Sequence, residues 1–122
     1  MKKDITARQD IELLMRAFYN KALSDPKIGP FFTEIANIDL DKHLPHIIDF
    51  WELQLFRKGG YKKNVLQIHQ DLNTKKKIEP HHFETWLSLF HTTIDNHFSG
   101  EKAHLLKTRA LSIVTVMKLK MG

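Results

Sequence analysis

Apolar positions along the chain recur at steps of three and four, the period of a helix lying on a core. Ile11, Leu14, Met15, Phe18, Ala22 and Leu23 form one face over residues 10–24, with Asp10 as the expected cap and Asp25-Pro26 as the stop. Tyr19 sits at the edge of that face. The stretch Pro26-Lys27-Ile28-Gly29-Pro30-Phe31-Phe32 reads as a turn that delivers two phenylalanines inward. A second helix is expected over residues 41–57, with Leu44, Ile47, Ile48, Trp51 and Leu55 as its stripe. Proline is tolerated in a first turn, so Pro45 predicts a start just before it, with Asp41 as cap and His43 at the very beginning. Lys58-Gly59-Gly60 breaks the chain. Val65, Ile68 and Leu72 mark a short helix with His69 on or beside its apolar stripe. Residues 73–79 read as a polar loop. Pro80 opens a helix striped by Phe83, Trp86, Leu87, Phe90, Ile94 and Phe98, which Ser99-Gly100 ends. A last helix over residues 101–120 is expected to bury Leu106, Ala110, Ile113, Val114 and Met117. No strand-like alternation or internal repeat interrupts this pattern, so the fold class is all-α, with residues 1–122 as one domain.

Composition narrows the chemistry. A chain of 122 residues holds one proper core, and an apolar fraction of 42% suits a globular protein. There is no cysteine, which removes disulfides, thiolate metal sites and cysteine catalysis and suits a cytoplasmic setting. No apolar run approaches the roughly 18–20 residues of a membrane span. The N-terminal Met1-Lys2-Lys3-Asp4 leads into an amphipathic segment rather than a signal peptide's apolar stretch. The formal charge of +5 is mild. Lys75-Lys76-Lys77 is the densest basic run, without the aromatic interleaving of a nucleic-acid patch. Neither nucleic acid nor membrane is an expected partner. No long exposed apolar stripe asks for an oligomer.

Eight histidines are many for this size. His43 and His46 are three apart, and His81 and His82 are adjacent, but no HExxH is present. His91, His97 and His104 read as ordinary solvated positions. His69 stands out because a ring on an apolar face needs a partner for its nitrogens. A backbone carbonyl, a carboxylate or a metal would each serve. Taken alone, His69 is a satisfied core histidine more often than a ligand, and Tyr19 and Trp86 are core aromatics with one polar tip.

The joint order of these residues carries more. Ala17-Phe18-Tyr19-Asn20-Lys21, Ile28-Gly29-Pro30-Phe31-Phe32, and His43 through Phe50-Trp51-Glu52 occur in sequence. Gly60-Tyr61 then leads to His69, and His82-Phe83-Glu84-Thr85-Trp86-Leu87-Ser88-Leu89-Phe90 follows. Over residues 11–117 the chain resembles the truncated haemoglobins of group III, within the globins.

That resemblance implies a two-over-two helical sandwich enclosing haem b. It implies His69 as the proximal iron ligand, and Tyr19, His43 and Trp86 as distal polar residues. It implies Phe32 packed on the porphyrin, with Phe18, Ile47, Phe50, Val65, Phe83 and Met117 in the apolar pocket. His46, one turn beyond His43, is a second candidate for the haem edge, and Pro45 leaves the aim of the His43 ring open. Lys62, Lys63, Tyr61 and His46 are available to propionates. The function implied is binding or transport of dioxygen, nitric oxide or another small diatomic ligand, with a reductase as a further partner. Two alternatives stand beside it: a haem oxidoreductase acting on nitric oxide or peroxide, and an all-α interaction domain without haem whose histidines are structural.

Overall fold

The computed structural model describes residues 2–35, 39–57 and 65–121. Among them the elements are α1 (Arg8–Ala22), a π turn (Phe31–Ile35), α2 (Leu40–Phe56), α3 (Val65–Lys75), α4 (Pro80–His97) and α5 (Glu101–Met121). The described residues contain no strand, as the helical periodicity implied. The closest packing joins α1 to α2 and α4 to α5. Contacts of α1 with α4 and of α2 with α5 then lay one pair over the other. The result is two helices over two, with α3 set against α5. None of the described helices is long and apolar enough to cross a membrane.

The helix starts differ from the expected ones for physical reasons. α1 begins two residues before Asp10, whose carboxylate instead reaches back to accept the Thr6 and Ala7 N–H groups at 2.9 and 3.2 Å. That satisfies donors the first turn leaves free. At α2 the cap is Asp39, not Asp41: the Asp39 side chain accepts the Asp41 N–H at 3.1 Å. Counted from Leu40, Pro45 is therefore the sixth residue and lies inside the helix. It has no N–H to give the Asp41 carbonyl, so the ladder is locally open beside His43. The stretch 73–79 is a loop only in its second half, because α3 runs on to Lys75. Asn73 Oδ1 accepts the Ile78 N–H at 2.7 Å, which turns the buried Ile78 inward.

The centre of the core is aromatic. Phe90 of α4 is fully buried, stacked on Trp51 of α2 at 5.0 Å and on Trp86 at 4.9 Å. Phe18 of α1 meets Phe90 edge-on at 5.2 Å. Such pairs add about 0.5–1.5 kcal/mol beyond the area they bury.

The segment before α1 is also held. Ser99 N–H donates to the Lys3 carbonyl at 2.9 Å, and Ile5 is buried. The Asp4 carboxylate accepts the Lys102 and Ala103 N–H groups, each at 2.9 Å, and so caps α5 from a distant part of the chain. Gly100, at φ 140°, makes room for this contact: a Cβ there would stand 2.6 Å from Asp4 Cγ. Burial pushes the Asp4 carboxyl up, but the N–H donors of Lys102, Ala103 and Ile5 and the Lys102 charge outweigh it and hold its pKa below the ordinary 3.8. The folded state therefore gains stability that is fully present above 3.8 and is lost as pH falls through the lowered value. Asp4→Ala should cost about 1–2 kcal/mol. Thermal melts should show a midpoint lower by several degrees at pH 7 and a gap to wild type that narrows in acid.

Candidate functional site

Tyr19, Phe32 and His43 meet where α1, the π turn and α2 converge. Tyr19 is buried, at 5% exposure, because it follows Phe18 on the inner side of α1. Its ring contacts Phe18 at 5.3 Å, Phe32 at 5.5 Å and His43 at 5.9 Å, each edge to face. The Tyr19 hydroxyl stands 3.4 Å from His43 Nε2, a polar pair in aromatic surroundings. Burial raises the Tyr19 phenol far above its ordinary pKa of 10, so it keeps its proton at any physiological pH. His43 is half-buried, whereas His46, one turn on, is exposed.

The direction of the hydrogen bond depends on the imidazole tautomer. With the proton on Nε2, His43 donates to Tyr19 and leaves the phenol O–H to donate elsewhere. With the proton on Nδ1, Tyr19 donates to His43 and the donor is consumed. The pair can thus offer one O–H to a small polar guest without any change of net charge.

Trp86 approaches from α4 and is half-buried. It joins this group through Phe18, 5.7 Å away. Phe83 is buried one turn earlier, in a second apolar cluster with Phe31, Ile78, Val114 and Met117. Ile47 and Phe50 are half-buried on α2 against the main core. Phe50, Gln54, Ile113, Val116 and Met117, with Arg109 and Ser112, line a cleft of about 290 Å³ between α2 and α5. His69 is half-buried on α3. Tyr61, Lys62, Lys63 and the side chain of Val65 lie outside the described residues. No group of three or more His, Asp or Glu stands together as a metal cluster among the described residues, so a protein-only metal site finds no support there.

Several neighbours escaped the periodicity. Gln54, Arg109 and Ser112 are polar, and only the helix pairing brings them to the cleft. His91 was expected in solvent, but it is half-buried with Nε2 3.2 Å from the Lys107 carbonyl of α5. His82, which the sequence offered as half of a His pair and as the first residue of the His82–Phe90 run, organises the start of α4. Its Nδ1 accepts the Glu79 N–H at 2.9 Å, and its ring lies 4.7 Å from Phe31.

Against known proteins, no family model matches the chain. The Group 3 truncated hemoglobin ctb of Campylobacter jejuni is 28% identical over 118 residues, spanning 94% of this chain and 91% of that protein. A crystal structure of group III truncated hemoglobin from Campylobacter jejuni superposes with a TM-score of 0.88 at 27% identity, covering 100% of this chain and 96% of that one. In sequence and in fold the chain is thus similar to group III truncated haemoglobins. Its two-over-two helical arrangement matches the truncated-haemoglobin form of the globin fold. Within this truncated-globin fold, Tyr19 and His43 form a part-buried polar contact between two candidate site residues.

The cap on α4 makes the start of that helix sensitive to acid. Burial lowers the His82 pKa first, and the neighbouring His81 and Lys76 lower it further, against an opposing pull from Glu79. A His whose folded pKa lies below the ordinary 6.5 is protonated more readily in the unfolded chain. Its contribution is thus complete above pH 6.5, shrinks as pH falls below it, and is gone below the folded value. His82→Ala should lower stability at pH 7.5 by about 1 kcal/mol. The loss should shrink between pH 7 and 5, as read by urea melts of both proteins.

Proposed function

We propose that this chain is a truncated haemoglobin that binds haem b and holds small diatomic ligands, dioxygen among them, beside Tyr19. His69 is the proposed iron ligand. The observation that carries the reading is the Tyr19–His43 pair: a buried phenol that keeps its proton and a half-buried imidazole 3.4 Å apart, with aromatic rings around them. Similarity to group III truncated haemoglobins over nearly the whole chain supports the same cofactor.

The residues present suit a haem. A flat apolar macrocycle needs aromatic and aliphatic walls, and Phe32, Ile47, Phe50, Phe83 and Met117 supply them. Haem, when bound, supplies an iron that takes one protein nitrogen and one small exogenous molecule. His69 would furnish that nitrogen from a short helix, with its second ring nitrogen hydrogen-bonded to fix the tautomer. Tyr19 would donate its O–H toward a partly negative guest while His43 Nε2–H donates to the phenol oxygen. Phe18 and Phe32 exclude water around the pair, which strengthens each bond made there. Trp86 offers an indole N–H that can only donate. His46, being exposed, would face the solvent edge, where a propionate would emerge.

A neutral donor contributes about 1 kcal/mol net, more in a dry pocket. Tyr19→Phe should therefore speed ligand dissociation by on the order of tenfold, about 1.4 kcal/mol. Stopped-flow release of dioxygen from the haem-loaded protein measures this. Haem titration should give a Soret band in wild type and in His46→Ala, and a weakened, shifted band in His69→Ala. An unchanged spectrum in His69→Ala would remove His69 as the ligand, and no Soret band in wild type would sink the haem reading altogether.

A further inference from the structure

The outer side of α5 is free of charge along most of its length. Thr108, Leu111, Ser112, Thr115, Val116 and Leu119 follow one another at helical spacing, and all six are exposed. Three are large aliphatics: Leu111 at 50%, Val116 at 49% and Leu119 at 80% exposure. The opposite side of the same helix is the buried stripe of Ala103, Leu106, Ala110, Val114 and Met117. α5 thus carries two apolar faces, and only one of them is covered. Sequence periodicity recognised the buried stripe and gave no sign of the second.

Basic residues border the uncovered face on both sides. Lys107 and Lys118 lie along one edge, ion-paired to Asp95 and Glu84. Arg109 and Lys120 lie along the other, exposed and without an ion-pair partner among the described residues. After Glu101 the helix has no acidic residue at all. The two threonine hydroxyls on the face are hydrogen-bonded within the helix. Thr108 Oγ1 donates to the His104 carbonyl at 3.0 Å and Thr115 Oγ1 to the Leu111 carbonyl at 2.8 Å. Their donors are satisfied within the helix, so moving the face out of water strands no threonine hydrogen.

We propose that the outer face of α5 is a peripheral docking surface for an anionic lipid bilayer. The helix would lie in the interfacial plane, with Leu111, Val116 and Leu119 entering the headgroup boundary and Arg109, Lys118 and Lys120 meeting lipid phosphates. A second copy of this chain suits the face poorly, because two such helices would bring their basic edges together in a chain of net charge +5. An acidic protein would match the charge. Internally satisfied threonines favour hydrocarbon, which offers no hydrogen bonds, over a polar partner. The association is a surface one and spans nothing. It does not depend on haem.

Sedimentation with vesicles tests it. The full chain should partition onto vesicles of mixed phosphatidylglycerol and phosphatidylcholine at least tenfold more strongly than onto phosphatidylcholine alone, and 0.5 M salt should remove most of that gain. Leu119→Asp and Lys120→Glu, both at exposed positions, should each lower partitioning severalfold, with circular dichroism and any Soret band unchanged. Equal binding to the two vesicle types would overturn the proposal. So would full retention of binding in Leu119→Asp, or a solution dimer that Leu119→Asp dissolves.

Discussion

Everything else in this molecule depends on Phe90 staying between two tryptophans. Trp51 arrives from α2 and Trp86 from one turn earlier on α4, both near-parallel to the Phe90 ring. Phe18 closes the edge from α1. Three of the four sandwich helices are thereby fixed at one point, and α5 is pressed onto them by Leu106 and Ala110. In a close-packed interior such a point cannot slide, because a shift of one ring reduces contact on both of its faces. Truncating so central a phenylalanine typically removes 3–5 kcal/mol, much of the roughly 5–15 kcal/mol that holds a domain of this kind together.

The same stack sets the terms for the polar pair beside it. Phe18 touches both the stack and Tyr19, so the phenol is carried inward with the core. An unpartnered buried hydroxyl would cost more than the aromatic contact returns. His43 relieves that cost from α2, at the place where Pro45 has opened the helix ladder. A polar contact that exists only because packing drives a hydroxyl inward is also the contact most able to change partners when a small polar guest arrives. Rigid walls and a reassignable hydrogen bond are therefore consequences of one arrangement.

How legible this was depended on the length scale of each signal. Helix identity came through because apolar spacing repeats over many residues, as in Leu44, Ile48, Trp51 and Leu55. Helix ends did not, because caps turn on single side chains. Asp10 and Asp41 looked like caps, but Asp10 reaches back from the third helical position and Asp39 does the work expected of Asp41. Asp4 was invisible as a cap, since its target lies at the far end of the chain. At the site, Tyr19 and His43 were picked out from residue order by family resemblance, yet their 3.4 Å approach exists only once α1 and α2 are packed. Gln54 and Arg109 could not be found at all, because a polar residue bordering a cleft obeys no apolar period.

α5 shows why a period can mislead even when it is read correctly. A helix with one apolar stripe announces which side is inside. With stripes on opposite sides the two signals cancel in any average around the axis, and the sequence reads as indifferent. Packing breaks the tie: Ala103 and Ala110 stand on the side that meets α4 and let the two helices approach closely. The face that carries the two alanines is the inner one, and Leu111, Val116 and Leu119 are left outside. Their exposure is thus built into the way the sandwich closes. Basic residues along both edges oppose the pairing of such a surface with its own kind, and their charge suits a negatively charged cover.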